Sequence, residues 1–325
     1  MESPSKYNSG MEKILITDYG FKNIDQESSL LQSGGYLIET AQCTTPEEII
    51  EKGADSVGLL VQWAPVTRKV IEQLKNCRII VRYGIGVDNV DLQAAKERGI
   101  KVCNVPDYCI EEVADHTISL ALSLARQLTI TQERMKKGIW KITPPQSMPA
   151  FKDMIFSTIG YGRIAREVLN RANVFGFSKA AFDPNVDVAT MKKSQVRKLS
   201  FDELIEQSDI ISLHLPLNGE THHIINEKTL SRMKAGAILV NTSRGGLIDT
   251  EALAKVLQSG KLFAGLDVFE EEPLPVTHPL YQCENAVLTS HTAWYSERSV
   301  PTLQRMAAEE LVRGLKGSMV KNRVV

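Results

Sequence analysis

Neither sign of charge prevails in this 325-residue chain: 38 lysines and arginines face 39 aspartates and glutamates, a formal net charge of −1. It lacks the basic footprint that holds a phosphate backbone and the polybasic patch that meets a membrane surface. A small molecule is therefore the expected partner, with no nucleic acid bound directly and no membrane. Long apolar runs are missing too, since none approaches the roughly 18 residues of a spanning helix. The opening MESPSKYNSGMEKILITDYG has no basic segment followed by an apolar one, so a cytoplasmic location is expected, with residues 1–10 as a polar lead-in. Cysteine is sparse: Cys43, Cys77, Cys103, Cys109 and Cys283 form no C-x-x-C pair, and their odd number argues against a disulfide framework. Repeats and low-complexity segments are absent. Adjacent His222 and His223 point apart in either a helix or a strand, so no metal site is expected there.

What the chain does contain is an alternation of short β-branched runs with amphipathic stretches. ILIT (14–17), VGLLV (57–61), RIIV (78–81) and IKVC (100–103) read as strands between helical segments such as PEEIIEKGA and DLQAAKERG. This rhythm implies βαβ units and parallel sheets. The segment 111–128, with apolar positions from Val113 to Leu128, predicts one long helix buried over much of its surface. After the proline-broken TPPQSMP (143–149) a second α/β series begins at IFSTI (155–159). It continues through KAAF, DIISL, AILVN, FAGLDV and AVLTS and ends in a helix near Ser299 to Leu315. The length suits two domains.

IFSTIGYGRIAREVL is strand, glycine turn, helix. Gly160 permits the tight turn, Gly162 lets a pyrophosphate approach the backbone, and Ala165 packs helix against strand. The helix N-terminus then offers N–H groups to phosphates. KAAF ends in Asp183, 21 residues after Gly162, where an acid accepts hydrogen bonds from a ribose diol and repels a 2′-phosphate. NAD is the cofactor implied, with NADH preferred over NADPH; the simpler reading of Asp183 is a turn starter before Pro184. Ser157 and Thr158 inside the strand require backbone partners for their hydroxyls.

Two later strands end in chemistry-bearing residues. AILVN leads to Arg244, ahead of two glycines, and Asp249 suits the cap of the next helix with Gly260 at its far end. Arg244 at a carboxyl end points where open α/β sheets bind ligands, and its planar fork suits a carboxylate; on this stretch alone an exposed loop arginine is an equal reading. AVLTS leads to His291, which alone among six histidines sits at a strand's carboxyl end after the glycine motif; His214 is read inside a strand. Histidine titrates where proton transfer near neutrality requires it.

GYGRIA, NTSRGGLID, LDVFEEEP and LTSHTAWYSE, in that order, resemble the D-isomer-specific 2-hydroxyacid dehydrogenase family. VRYGIGVDNVDL, CNVPDYCIEEVADHTISL and HTAWYSE are similar to its C-terminal-binding protein branch. The resemblance runs from about residue 80 to about 315. It implies two Rossmann-like or flavodoxin-like parallel-sheet α/β domains with the active site in a cleft: a discontinuous substrate domain (1–111 and 292–325) and a NAD-binding domain (112–291). It implies catalytic roles for Arg244, Glu272 and His291, with His291 as acid/base, Glu272 as its partner and Arg244 on the substrate carboxylate or carbonyl. Glu270 and Glu271 are then solvated bystanders. Cofactor contacts are implied at Ile159, Gly160, Tyr161, Gly162, Arg163, Ile164, Asp183, Leu215, Pro216, Thr221, Thr242, Ser243, Arg244, Asp267 and His291. Arg82, Tyr83, Gly84, Ile85 and Trp294 are implied at a small 2-oxo or 2-hydroxy acid substrate. A homodimer is implied as well. The alternative is a NAD(H)-sensing corepressor-like dimer; the end at Val325 without a long tail and the full Arg, Glu, His set favour the enzyme. The lack of a further C-terminal module disfavours a regulated phosphoglycerate dehydrogenase.

Overall fold

The computed structural model describes residues 10–144 and 146–325. The expected polar lead-in, apart from Gly10, and Pro145 of the TPPQSMP loop lie outside the described residues. The chain folds as two compact units: residues up to Cys109 together with Ser296–Val325, and Ile110–Tyr295. Each is a parallel-sheet α/β unit.

The first unit has strands β1 (Lys13–Ile16), β2 (Leu37–Thr40), β3 (Gly58–Val61), β4 (Ile79–Arg82) and β5 (Lys101–Cys103) in the order β2-β1-β3-β4-β5, all parallel. This is the flavodoxin-like order. β3 and β4 are buried along their whole length, which is why their apolar runs do not alternate. The helix Pro46–Gly53 starts on a capping box in which the Thr45 hydroxyl accepts from Glu48 N and Glu48 accepts from Thr45 N. The C-terminal helix Ser299–Leu315 returns to pack on β3 and β4. Behind β4, fully buried Glu27 accepts from the Tyr83 hydroxyl at 2.8 Å and from Gln304 Nε2 at 3.0 Å. Burial pushes the Glu27 carboxyl up from its ordinary value.

The second unit has strands β6 (Ile155–Ile159), β7 (Ser178–Phe182), β8 (Arg197–Lys198), β9 (Ile210–Leu213), β10 (Ile238–Asn241), β11 (Phe263–Leu266) and β12 (Ala286–Leu288). Their order is β12-β11-β10-β9-β6-β7-β8, again all parallel. Strand order reverses at β6, between β9 and β7, so the carboxyl ends there border the crevice where such sheets take ligands. Apolar side chains fill both faces of this sheet. The helix Ile110–Ala125 lies across β10 and β11, and Gly265 makes room for Leu120 and Leu124 against the strand.

Several expectations need correction. The long helix does not run to residue 128: it stops at Ala125, and a second helix, Leu128–Lys136, follows a left-handed Gln127 (φ 49°). The Gln127 side chain, 2% exposed, donates to the carbonyls of Gln146 and Ser147, and those distant bonds fix the break. His214 lies just beyond β9 rather than within it. The hydroxyl of Thr158 finds a backbone partner, Gly160 O at 2.8 Å, but Ser157 is met by the Ser208 hydroxyl at 2.6 Å. Asp249 does cap the helix Thr250–Gln258, accepting from Ala252 N, and Gly260 follows it with φ 73°. No disulfide joins the five cysteines, all of which are buried. Among the described residues no helix is long and apolar enough to cross a membrane.

Candidate active site

The carboxyl ends of the seven parallel strands gather residues that are far apart in sequence. β6 ends in Ile159 and Gly160, whose φ of 97° is the left-handed region that glycine tolerates. A Cβ at Gly160 would lie far inside contact distance of the His214 carbonyl, backbone that cannot swing aside. Gly162, in extended conformation, is the N-cap of the helix Arg163–Val174, and no side chain caps that end. A Cβ there would meet nothing within 4 Å. A strained turn, an open approach and an uncapped helix start together fit a dinucleotide pyrophosphate. Tyr161 turns its ring into the core under the Arg166 guanidinium, so only its backbone faces that turn; Arg163 is exposed and Ile164 half-buried.

Asp183 follows β7. Its Oδ2 accepts from Tyr161 N at 2.9 Å and its Oδ1 from Asn185 N at 2.9 Å, so it both starts the turn at Pro184 and braces the glycine loop. A carboxylate has about four acceptor sites, which leaves capacity for a diol. The loop after β9 carries Leu215, Pro216 and Thr221, closed by Thr221 Oγ1 donating to Pro216 O at 2.7 Å. After β10, Thr242 lies beside Thr117 at 2.9 Å and Ser243 Oγ donates to Leu213 O at 2.6 Å. Gly160→Ala is expected to cost about 2–4 kcal/mol of stability through the left-handed backbone and the carbonyl clash. NADH affinity should fall with it. Urea unfolding and NADH fluorescence titration read the two effects, and an unchanged pair would remove Gly160 from the turn argument.

The second cluster pairs an imidazole with a carboxylate. His291 Nδ1 and Glu272 Oε2 stand 2.6 Å apart, 19 positions apart in sequence, and Glu272 Oε1 accepts from Phe269 N at 2.9 Å. Burial works to raise the Glu272 carboxyl. The bond and charge of His291, the Phe269 N–H and the charge of Arg244 outweigh it and hold the group below the ordinary carboxylate range. Arg244, Glu272 and His291 are therefore one electrostatic unit. Arg244 is held by Asn241 Nδ2 donating to its carbonyl at 2.8 Å and by its own Nη1 donating to Ser243 O at 2.7 Å. Gly245 is obligatory behind it, because a Cβ would collide with the Phe269 and Glu270 backbone.

His291 itself has a left-handed backbone (φ 55°), uncommon for a residue with a side chain. Asp267, fully buried, supplies the restraint. Its carboxylate accepts from Thr289 Oγ1 at 2.5 Å, Thr292 N at 2.9 Å and Ala293 N at 2.9 Å, and its carbonyl accepts from His291 N at 2.8 Å. His116 adds a contact that the sequence did not signal, with Nε2 3.0 Å from Thr289 Oγ1. Trp294 is half-buried three residues beyond His291, edge-on to Tyr295. In the first unit, Arg82 at the end of β4 donates from Nε to Gln62 O and covers the Trp63 ring. Tyr83 is core, Gly84 has φ 140°, and Ile85 O accepts from Asn104 Nδ2.

Three side chains behave differently from expectation. Glu270 is not a bystander: its Oε1 lies 2.5 Å from His223 Nε2 and its Oε2 accepts from Thr250 N at 2.8 Å. Nor do His222 and His223 point apart. His223 adopts a left-handed backbone (φ 51°), neither helix nor strand, and the two rings stack at 3.9 Å. Glu271 is exposed.

Comparison with known proteins gives a consistent picture. Residues 118–293 match the model of the D-isomer specific 2-hydroxyacid dehydrogenase NAD-binding domain. The chain is 36% identical over 315 residues to D-3-phosphoglycerate dehydrogenase of Methanocaldococcus jannaschii, an alignment covering 96% of this chain and 59% of that protein. It thus spans less than two thirds of that relative's length. It is 38% identical over 283 residues to glyoxylate reductase of Korarchaeum cryptofilum, covering 85% of each. The crystal structure of D-lactate dehydrogenase from Aquifex aeolicus, complexed with NAD and lactic acid, superposes with a TM-score of 0.88 at 28% identity, covering 96% of this chain and 99% of that one. The chain belongs to the D-isomer-specific 2-hydroxyacid dehydrogenase family.

Proposed function

We propose that the protein is a NAD-dependent dehydrogenase that interconverts a small 2-oxo acid and the D-2-hydroxy acid. The observation that carries this is the His291–Glu272 pair, 2.6 Å apart and under the influence of Arg244, at the sheet edge that also holds the glycine turn. Glyoxylate, hydroxypyruvate and pyruvate are the substrates to try first; the relatives include a glyoxylate reductase and a D-lactate dehydrogenase.

NAD, held by the Gly160–Gly162 turn, the helix start at Arg163 and the Asp183 carboxylate, would supply or accept the hydride. The loop residues Leu215, Pro216, Thr221, Thr242 and Ser243, with Asp267, are assigned to the same ligand. His291 moves the proton. In reduction the imidazolium donates from Nε2 to the carbonyl oxygen as C2 becomes a hydroxy-bearing carbon, and in oxidation the neutral ring takes the hydroxyl proton. Glu272 on Nδ1 orients the ring and stabilises its charged form. Arg244 binds the carboxylate and polarises the carbonyl, with Arg82, Tyr83, Gly84, Ile85 and Trp294 as further substrate contacts. Residues 1–111 with 292–325 are assigned to the substrate and 112–291 to NAD. The acid at Asp183 supports NADH over NADPH. A homodimer in the cytoplasm completes the proposal. The corepressor-like alternative has no observation of its own in its favour.

The test is NADH oxidation with a panel of 2-oxo acids, repeated with NADPH. Turnover of at least one acid with NADH is expected; comparable use of NADPH would contradict the role of Asp183. Glu272→Gln separates the carboxylate from the fold. Reduction uses the ring that Glu272 orients through Nδ1, so the variant should show a lowered kcat with NADH affinity unchanged. An unchanged kcat would take Glu272 out of the mechanism.

A further inference from the structure

We propose that His222, His223 and Glu270 form a binding site for a divalent transition-metal cation such as Zn²⁺, joining the loop after β9 to the loop after β11. The three residues each present one ligand atom, and these atoms lie within 4.8 Å of one another. Two imidazoles and a carboxylate are a donor set that Zn²⁺ takes readily, with the remaining position left to water. An oxygen or nitrogen ligand sits about 2.0–2.1 Å from Zn²⁺, which places tetrahedral ligands roughly 3.3 Å apart. The 2.5 Å between His223 Nε2 and Glu270 Oε1 would therefore open by under about 1 Å as the ion replaces the shared proton, and the widest separation, up to 4.8 Å, would close by up to about 1.5 Å through side-chain rotation.

The scaffold around these ligands is already fixed. The left-handed turn at His223 is what brings the two rings side by side. His223 N donates to Gly246 O at 2.9 Å, Ile225 N to Leu247 O at 3.0 Å and Asp249 N to Ile225 O at 2.8 Å, so the histidine loop is laced to the segment after Arg244. Asn226 Nδ2 donates to His223 O at 2.9 Å. Glu270 is oriented from the other side, its Oε2 taken by Thr250 N at the start of the helix Thr250–Gln258. That leaves Oε1 directed at the imidazoles, the arrangement in which an outer partner holds a metal ligand in place. Five hydrogen bonds to backbone atoms hold these ligands before any ion arrives. The catalytic assignment uses none of the three side chains, so this reading stands apart from the proposed hydride transfer.

The test titrates tag-free, full-length protein with Zn²⁺ by calorimetry and measures Zn X-ray absorption on the loaded protein. One ion per chain, ligation by nitrogen and oxygen without sulfur, and a raised thermal midpoint on loading are expected. His222→Ala and Glu270→Gln should each weaken Zn²⁺ binding by roughly tenfold or more, while His291→Ala leaves it unchanged. NADH affinity serves as the check that each variant is folded. Sulfur in the Zn shell, equal affinity in the His222→Ala and wild-type proteins, loss of binding in His291→Ala, or no saturable binding would each overturn the proposal.

Discussion

Alanine at His291 is expected to lower kcat for 2-oxo acid reduction by about 10²- to 10⁴-fold, the usual worth of a positioned general acid. NADH affinity should stay close to that of the native protein. The reason is the division of labour at the sheet edge. The glycine turn, the uncapped start of the helix Arg163–Val174 and Asp183, to which the dinucleotide is assigned, are built without the imidazole. The ring is instead tied to Glu272 at 2.6 Å and its backbone to Asp267. Stopped-flow turnover together with NADH fluorescence titration separates the two roles. Equal loss in both would make His291 structural. His291→Ala also keeps a side chain at a left-handed residue, so the backbone argument is the same in both proteins.

Arg244→Ala is expected to lower kcat/KM by about 10²-fold or more, as loss of one preorganised donor at a developing charge does. Arg244→Lys should recover only part of this, because a point charge cannot reproduce a bidentate fork. A second readout follows from electrostatics. Arg244 is one of the groups that hold Glu272 below its ordinary range. Without it the Glu272 carboxyl binds its proton at a higher pH, so the acid limb of the rate profile moves up. A structural role alone would lower activity at every pH without moving that limb. Loss in KM with an unmoved profile would place Arg244 outside the charge network.

Much of the sheet architecture was legible because buried parallel strands are written as short apolar runs. IFSTI and AILVN gave β6 and β10 almost to the residue. β2, the half-exposed edge strand LIET, carries no such run, and β8 is only two residues long. The break at Gln127 depends on bonds to Gln146 and Ser147, about twenty residues away, and a local helical pattern contains no trace of them. Glycines were the most informative single residues: Gly160 and Gly245 stand where a Cβ would meet backbone.

Within the site, the glycine turn and Asp183 were readable from mechanism, whereas the pairing of Glu272 with His291 came through family resemblance. Spacing does not reveal which of three adjacent glutamates turns inward. The structure divides them: Glu272 on His291, Glu270 on His223 and Thr250, Glu271 exposed. The two histidines were misread because the rule applied to them assumes regular secondary structure, and His223 has none. His116 was passed over as a helix residue, since its link to Thr289 spans 173 positions.

The most direct test of hydride transfer at this site uses NADH carrying deuterium at both C4 positions, with glyoxylate, hydroxypyruvate and pyruvate in turn. The product of at least one acid should carry a single deuterium at C2, and His291→Ala should slow its formation by the same factor as kcat while NADH still binds. Consumption of labelled NADH without deuterium at C2, or no turnover of any 2-oxo acid by protein that binds NADH, would contradict the account.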